Sequence, residues 1–426
     1  MKNIQKVGIS ALLAFSLSIL ASAQVAFYKI KVSGSSPNSM TAINNSGQLV
    51  TNVATQTGYD VSRWSRFMGL EKLGLNGVTN GGAAINSFSE IVGAGDPNKS
   101  GVSQAFMWSP GAGTQWLGSL GGGFSAANGI NDSGAVVGLS YTAAYALHAF
   151  LWTQTGGMQD LTPDLTSIGG ATAVGINSSN QVVGYYFPNG SRNTVGFSWT
   201  QASGLQDVGP AGTLALAVND SGTVVGQAPN AKGYRHAMSW TPAGGMKDLG
   251  TLGGPASKAL GINNKGWIVG TSLTSSGNST LHAFLWTPSA GMKDLAVIAG
   301  FSKSVQPYWV QVNDFGVIAM STNKGLTMLT PIMRASAISS VNPSKLGQPV
   351  TFTVNITSIA GAPPDGEIVQ FKMGGQVIGS GSLRNGVTQF TTSAIPVGSH
   401  ILTILYVGDA NYLSNSFSSI VQVVNP

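Results

Sequence analysis

"GINDSGAVVG", residues 129–138, returns with small edits along the chain, and its asparagine falls at Asn44, Asn86, Asn131, Asn177, Asn219, Asn263 and Asn313. The intervals are 42, 45, 46, 42, 44 and 50 residues. Each copy is followed by a second anchor, Trp64, Trp108, Trp152, Trp199, Trp240 or Trp286, inside phrases such as HAFLWT (148–153) and HAMSWT (236–241); in the seventh copy Leu329 holds that place. Asn, Asp and Gly between two branched runs are hairpin residues, because Gly accepts positive φ and Asn or Asp caps the turn with its side chain. Each copy therefore reads as four short strands, A-x-G-I-N, VVG, HAFLWT and GMKDLGTL. A four-stranded unit of about 44 residues is the size of a propeller blade.

The chain ends decide between an open array and a ring. The seventh copy stops at Thr330-Pro331 without a fourth strand, while FYKIKV (27–32) stands as far before Asn44 as MKDLG (246–250) stands before Asn263. An N-terminal strand that completes the last blade closes the ring and leaves only short, protected edges. From Ala335 a different pattern begins: NPSKLGQPVTFTV, then PPDGEIVQFKMGGQVIGSG, then VGSHILTILYVGDANYLSNSFSSIVQV. Alternation at turn spacings over about 90 residues reads as a β-sandwich. The predicted fold is all-β: a seven-bladed β-propeller over 24–332 followed by an immunoglobulin-like sandwich over 335–426.

Ahead of the propeller, Lys2 and Lys6 precede an apolar run from Gly8 to Leu20 and then Ala21, Ser22 and Ala23. That is the pattern of a secretory signal peptide, residues 1–23. The run is too short to span a bilayer, and no later segment reaches the ~20 apolar residues a membrane helix needs. The chain has no cysteine, so an exported protein of this sequence must hold together without disulfides. Charged residues make up only 8% and form no basic run, which speaks against nucleic-acid binding.

The His-Ala-Phe phrases at 148–150 and 282–284 resemble bacterial extracellular proteins with HAF repeats, over residues 25–331. The resemblance implies an exported, propeller-like repeat protein and brings no established reaction with it. Copies one, two, four and seven lack the histidine and depart from the pattern. GQPVTF (347–352) and YVGDANY (406–412) resemble bacterial Ig-like domains of the group 3 type, which implies a spacer or adhesion module outside the cell.

Asp160, Asp207, Asp248 and Asp294 fill one repeat position, and Asp132, Asp220 and Asp314 sit in the hairpin turn. Repetition at a fixed place points to architecture rather than to general acid–base work. His148, His236 and His282 lie in separate blades and cannot easily meet around one zinc; packing with one hydrogen bond is the simpler reading. One tryptophan per blade suits packing between sheets. No catalytic, cofactor-binding or metal-binding residue is expected, no cofactor is implied, and the chain is predicted not to be an enzyme.

Binding residues usually ride on variable loops held by a rigid scaffold. The first and third turns of each blade are short, whereas the segment from second to third strand varies: AGDPNKSGVSQ (94–104), LSYTAAYAL (139–147), YYFPNGSRNTVG (185–196), QAPNAKGYR (227–235). These segments share one face of the disc. They supply the candidate ligand-binding residues Tyr141, Tyr145, Tyr185, Tyr186, Asn189, Arg192, Asn193, Tyr234 and Arg235, a Tyr, Asn and Arg mixture suited to glycan or protein surfaces. The expected function is a monomeric binding or adhesion module, secreted or at the cell surface, with a periplasmic site as the other possibility. Its expected partner is an extracellular glycan or protein. The alternatives are a hydrolase or lyase acting on extracellular polysaccharide, which acid residues converging on the disc axis would favour, and a structural surface protein with no defined ligand.

Overall fold

The computed structural model describes residues 26–32, 40–55, 58–74, 81–165, 169–275 and 280–426, so the signal peptide assigned to 1–23 lies outside the described residues. Seven four-stranded antiparallel sheets stand in a ring, each running from an innermost strand to an outermost one. Blade 1 consists of Met40–Ile43, Leu49–Thr55, Gly58–Ser65 and Gly69–Lys72. Blade 3 consists of Gly121–Ile130, Val136–Thr142, Leu147–Thr153 and Gly157–Asp160. A single parallel bridge, Leu147 to Gly170, joins the third blade to the fourth. In blade 7, Pro307–Val312, Ile318–Thr322 and Gly325–Pro331 receive their outermost partner from the other end of the chain, Phe27–Lys31, with Phe27 opposite Pro331 and Lys31 opposite Thr327. The ring is closed by the strand expected to close it.

The glycine of the VVG phrase is required by the backbone beside it. The innermost strand of blade 3 carries a bulge between Ala127 and Gly129, and a Cβ on Gly138 would lie 1.9 Å from the Ala126 carbonyl oxygen. Gly184, Gly226 and Gly270 face the same clash at 2.0, 1.9 and 2.0 Å. Opposite Gly138 stands Phe150. Phe150 and Trp152 pack on Val92, Ala105 and Leu117 of blade 2, while Ala149 and Leu151 pack on Ala171, Ala173 and Phe197 of blade 4. Both faces of a blade are thus buried between its neighbours, and each Phe-sized side chain contributes roughly 2–3 kcal/mol of apolar burial.

The histidine of the HAF phrase ties the third strand to the fourth. His148 Nδ1 donates to Asp160 at 2.7 Å, His236 to Asp248 at 2.9 Å and His282 to Asp294 at 2.8 Å. Blade 1 reverses the pair, with Asp60 in the histidine's place and Lys72 in the aspartate's, 3.0 Å apart. In blade 4, where Val195 replaces the histidine, the Tyr186 hydroxyl donates to Asp207 at 3.0 Å.

The third strand of blade 7 leaves the ring on the face of the short turns, and the sandwich follows there. One of its sheets pairs Arg334–Ser339, Val350–Thr357 and Val387–Thr392; the other orders Ser344–Lys345, Asn415–Asn425, Gly398–Tyr406, Ile368–Met373 and Gln376–Ser382. Phe352, Val354, Phe371, Ile404, Tyr406 and Tyr412 fill the space between them. No helix among the described residues is long and apolar enough to cross a membrane.

Candidate functional site

The disc presents two unlike faces. On the turn face the seven repeat asparagines form a closed ring about the axis: each Nδ2 donates to the carbonyl oxygen of the matching asparagine one blade on, Asn44 to Asn86 and so round to Asn313 to Asn44, at 2.8–3.2 Å. Each Oδ1 accepts backbone N–H groups of its own turn, as Asn131 does from Ser133 and Ala135 at 3.1 and 3.0 Å. One side chain therefore caps a hairpin and fastens the next blade.

The residue after each asparagine lines an axial funnel of about 210 Å³, which brings Asp132, Asp220 and Asp314 around one mouth with Asn45, Ser87, Ser178 and Asn264. Sequence reasoning placed these aspartates in turns; that the turns meet at the axis follows only from the ring. Asp132 accepts from the Ser87 N–H at 2.8 Å, Asp220 from Ser178 at 2.9 Å, and Asp314 from Asn264 at 2.7 Å. Burial pushes the Asp220 carboxyl up, but hydrogen bonds from Ser178 and the Asn264 amide outweigh it and hold the group below its ordinary value. No cluster of three or more His, Cys, Asp or Glu that could hold a metal occurs among the described residues.

The loop face carries all nine candidate residues, spread over the adjacent blades 3, 4 and 5. Tyr141 is half-buried at the end of its strand, its ring 5.4 Å from Phe124 and 6.4 Å from Tyr145. Tyr145 sits in a tight turn at φ 59° and is 74% exposed. Tyr185 meets Phe187 edge-on at 6.4 Å. Tyr186 is half-buried and its hydroxyl is held by Asp207; burial first, then that carboxylate, push its pKa up. Asn189, Arg192 and Asn193 are exposed in the loop that follows, where Asn193 N–H donates to Ser191 Oγ at 3.0 Å. Tyr234 is 52% exposed, and Arg235 reaches back to the Gly212 carbonyl at 2.9 Å. Tyr141 and Tyr145 are thus brought together, while Tyr186 and Arg235 are committed to the fold's own partners. Phe124 and Phe187 join the aromatic groups without having been singled out; Phe124 lies in the innermost strand of blade 3, Gly121–Ile130, outside the variable segments.

Residues 337–425 match the model of the bacterial Ig-like domain (group 3). No curated protein matches the chain by sequence. Among solved structures the chain is similar to a gluconolactonase from Xanthomonas campestris at 10% identity, covering 73% of this chain and 91% of that one, with a TM-score of 0.40. It is also similar to TolB from Acinetobacter baumannii (8% identity, 67% and 64% covered, TM-score 0.40). A third is the extracellular domain of a putative hybrid two component system from B. thetaiotaomicron (9% identity, 95% and 59% covered, TM-score 0.42). The expectation that the chain is not an enzyme is corrected here. A gluconolactonase stands among the similar structures, and carboxylates do gather at the disc axis. A likeness this remote assigns no reaction.

Proposed function

We propose that this protein is an exported surface module that recognises an extracellular glycan or protein through the loop face of blades 3 to 5. The observation that carries the reading is the asymmetry of the disc. The turn face is built from one recurring short hairpin and is partly covered by the Ig-like domain, which touches blades 6, 7 and 1. The opposite face holds the variable loops, with Tyr234 exposed and Tyr145 exposed beside the half-buried Tyr141. Rigid aromatic groups next to adaptable polar ones give contact area at small entropic cost. A signal peptide at 1–23, a propeller of HAF type over 24–332 and a sandwich over 335–426 fit an extracellular or surface location, as the Ig-like domain does.

Screening the chain against a glycan panel, for binding and for released product together, tests the reading. Tyr145→Ala with Arg192→Ala is expected to weaken the bound glycan at least about tenfold while the melting temperature stays within about a degree, since exposed loop residues contribute little to stability. Binding unaffected by both changes would remove this face from consideration. Product release lost on Asp220→Asn would place the site in the axial funnel.

A further inference from the structure

We infer that the Ig-like domain is a latch on the ring seam: it locks blade 7 to blade 1 and so makes propeller and sandwich one mechanical unit rather than two modules on a tether. The inference is independent of the ligand reading.

It begins with the places where the repeat breaks its own pattern. Two residues after the asparagine, blades 1, 3, 4 and 5 carry Ser46, Ser133, Ser179 and Ser221; blade 2 carries an exposed Phe88, and blades 6 and 7 carry Lys265 and Phe315. Lys265 Nζ donates to the Ala360 carbonyl of the sandwich at 2.6 Å, and the Phe315 ring meets Tyr412 edge-on at 6.4 Å. The Tyr412 hydroxyl donates to the Phe315 carbonyl at 2.9 Å. Trp267, two residues beyond Lys265, is buried in the same cluster as Ala360. In these two blades the departures face the sandwich.

The asparagine itself is bonded differently in blade 7. Besides its bond to the next blade, the Nδ2 group has a second hydrogen to place. Asn44, Asn86 and Asn177 give it to Gln48, Glu90 and Gln181, four residues on, and Asn131 gives it to Asn180 of the following blade. In blade 7 the fourth residue is Val317, which accepts nothing, and Asn411 of the sandwich supplies the acceptor at 2.7 Å. The Nδ2 of Asn411 then donates to the Asn45 carbonyl in blade 1 at 2.9 Å. One amide bridges the two blades where the first and last segments of the propeller meet. Arg66, at the outer turn of blade 1, donates to the Asp409 and Tyr412 carbonyls, each at 3.0 Å, and holds the loop that carries Asn411. The GDANY phrase is thus the bolt, seated in blades 7 and 1.

A seam closed only by non-covalent strand pairing is the natural place for local opening, and hydrogen exchange reads such opening directly. In the full chain, Asn411→Ala with Arg66→Ala is expected to speed amide exchange in 27–31 and 325–331 by about tenfold or more, with blades 3 and 4 and the sandwich core unchanged. Asn411→Asp serves if the double variant does not fold: it keeps the acceptor for Asn313 but loses the donor to Asn45, and an intermediate acceleration confined to the seam is expected. Seam exchange at the wild-type rate in whichever variant folds would overturn the latch. Uniform acceleration across all blades would overturn it too, since that reports global destabilisation.

Discussion

Asn177 carries two loads with one amide. Its Oδ1 accepts from the N–H groups of Ser179 and Gln181 at 3.1 and 2.9 Å, and its Nδ2 donates to the Asn219 carbonyl of the next blade at 3.1 Å. The first load was readable in the sequence, because Asn and Asp in a turn with Gly have a local reason to be there. The second was not, because the partner is another copy of the same residue 42 positions away and becomes adjacent only when successive blades stack. The two loads separate on substitution. Asp can cap the turn as well as Asn does, but has no hydrogen to give the next blade and would set a carboxylate against a carbonyl. Asn177→Asp is therefore expected to cost about 1–3 kcal/mol in urea unfolding, the range for a buried group left without its partner. A near-neutral result would reduce the asparagine to its hairpin role.

At the scale of the strand, the repeat phrases are pairs of positions rather than single residues. Gly138 faces Phe150, and the glycine is fixed by the Ala126 carbonyl beside the bulge, not by the ring opposite. Blade 1 alters both members together, with Thr51 opposite Ser62, and blade 7 places Met320 opposite Thr327. The same holds for the histidine–aspartate tie and its reversed form, Asp60 with Lys72. Strand alternation decides the facing of HAFLWT: Phe150 and Trp152 go to one neighbour and Ala149 and Leu151 to the other. What alternation could not give was the bulge, which depends on how the innermost strand bends at the axis. Gly138→Ala tests the account: with a Cβ 1.9 Å from a backbone oxygen, the strand must shift, and a loss of about 1–3 kcal/mol or more is expected. Adding Phe150→Leu should bring no recovery, because the clash is with backbone; recovery would mean the ring sets the limit.

For the whole molecule, closure was legible because the seventh repeat lacked a strand that the N-terminus possessed, whereas the docking of the sandwich was not, since Asn411 and Arg66 belong to segments far apart in the chain. Closure also makes the sharpest demand. Phe27 is buried against blade 6 with Leu285 and Leu295, while Ile30 and Val32 pack toward blade 1 with Met40 and Trp64, so the terminal strand and the residue after it fill two inter-blade spaces. Ala26 adds bonds at its end, its N–H to the Ile298 carbonyl at 2.9 Å and its carbonyl to the Ile332 N–H at 3.0 Å. Burial at ~1.5–3 kcal/mol per large apolar side chain sums to several kcal/mol before the strand's ordering entropy is subtracted, a large share of a typical ~5–15 kcal/mol domain stability. A chain beginning at Gly34 should therefore aggregate or melt far below the intact protein, because it exposes both an apolar flank and the ladder edge of Gly325–Pro331. Cysteine pairs at neighbouring registers, Tyr28→Cys with Thr330→Cys and Ile30→Cys with Met328→Cys, give the direct check. At least one should oxidise within the monomer and raise the melting temperature, since a bond closing so long a loop removes up to about 5 kcal/mol of unfolded-state entropy. If neither pair cross-links and the shortened chain stays soluble and as stable as the parent, the terminal strand does not close the ring.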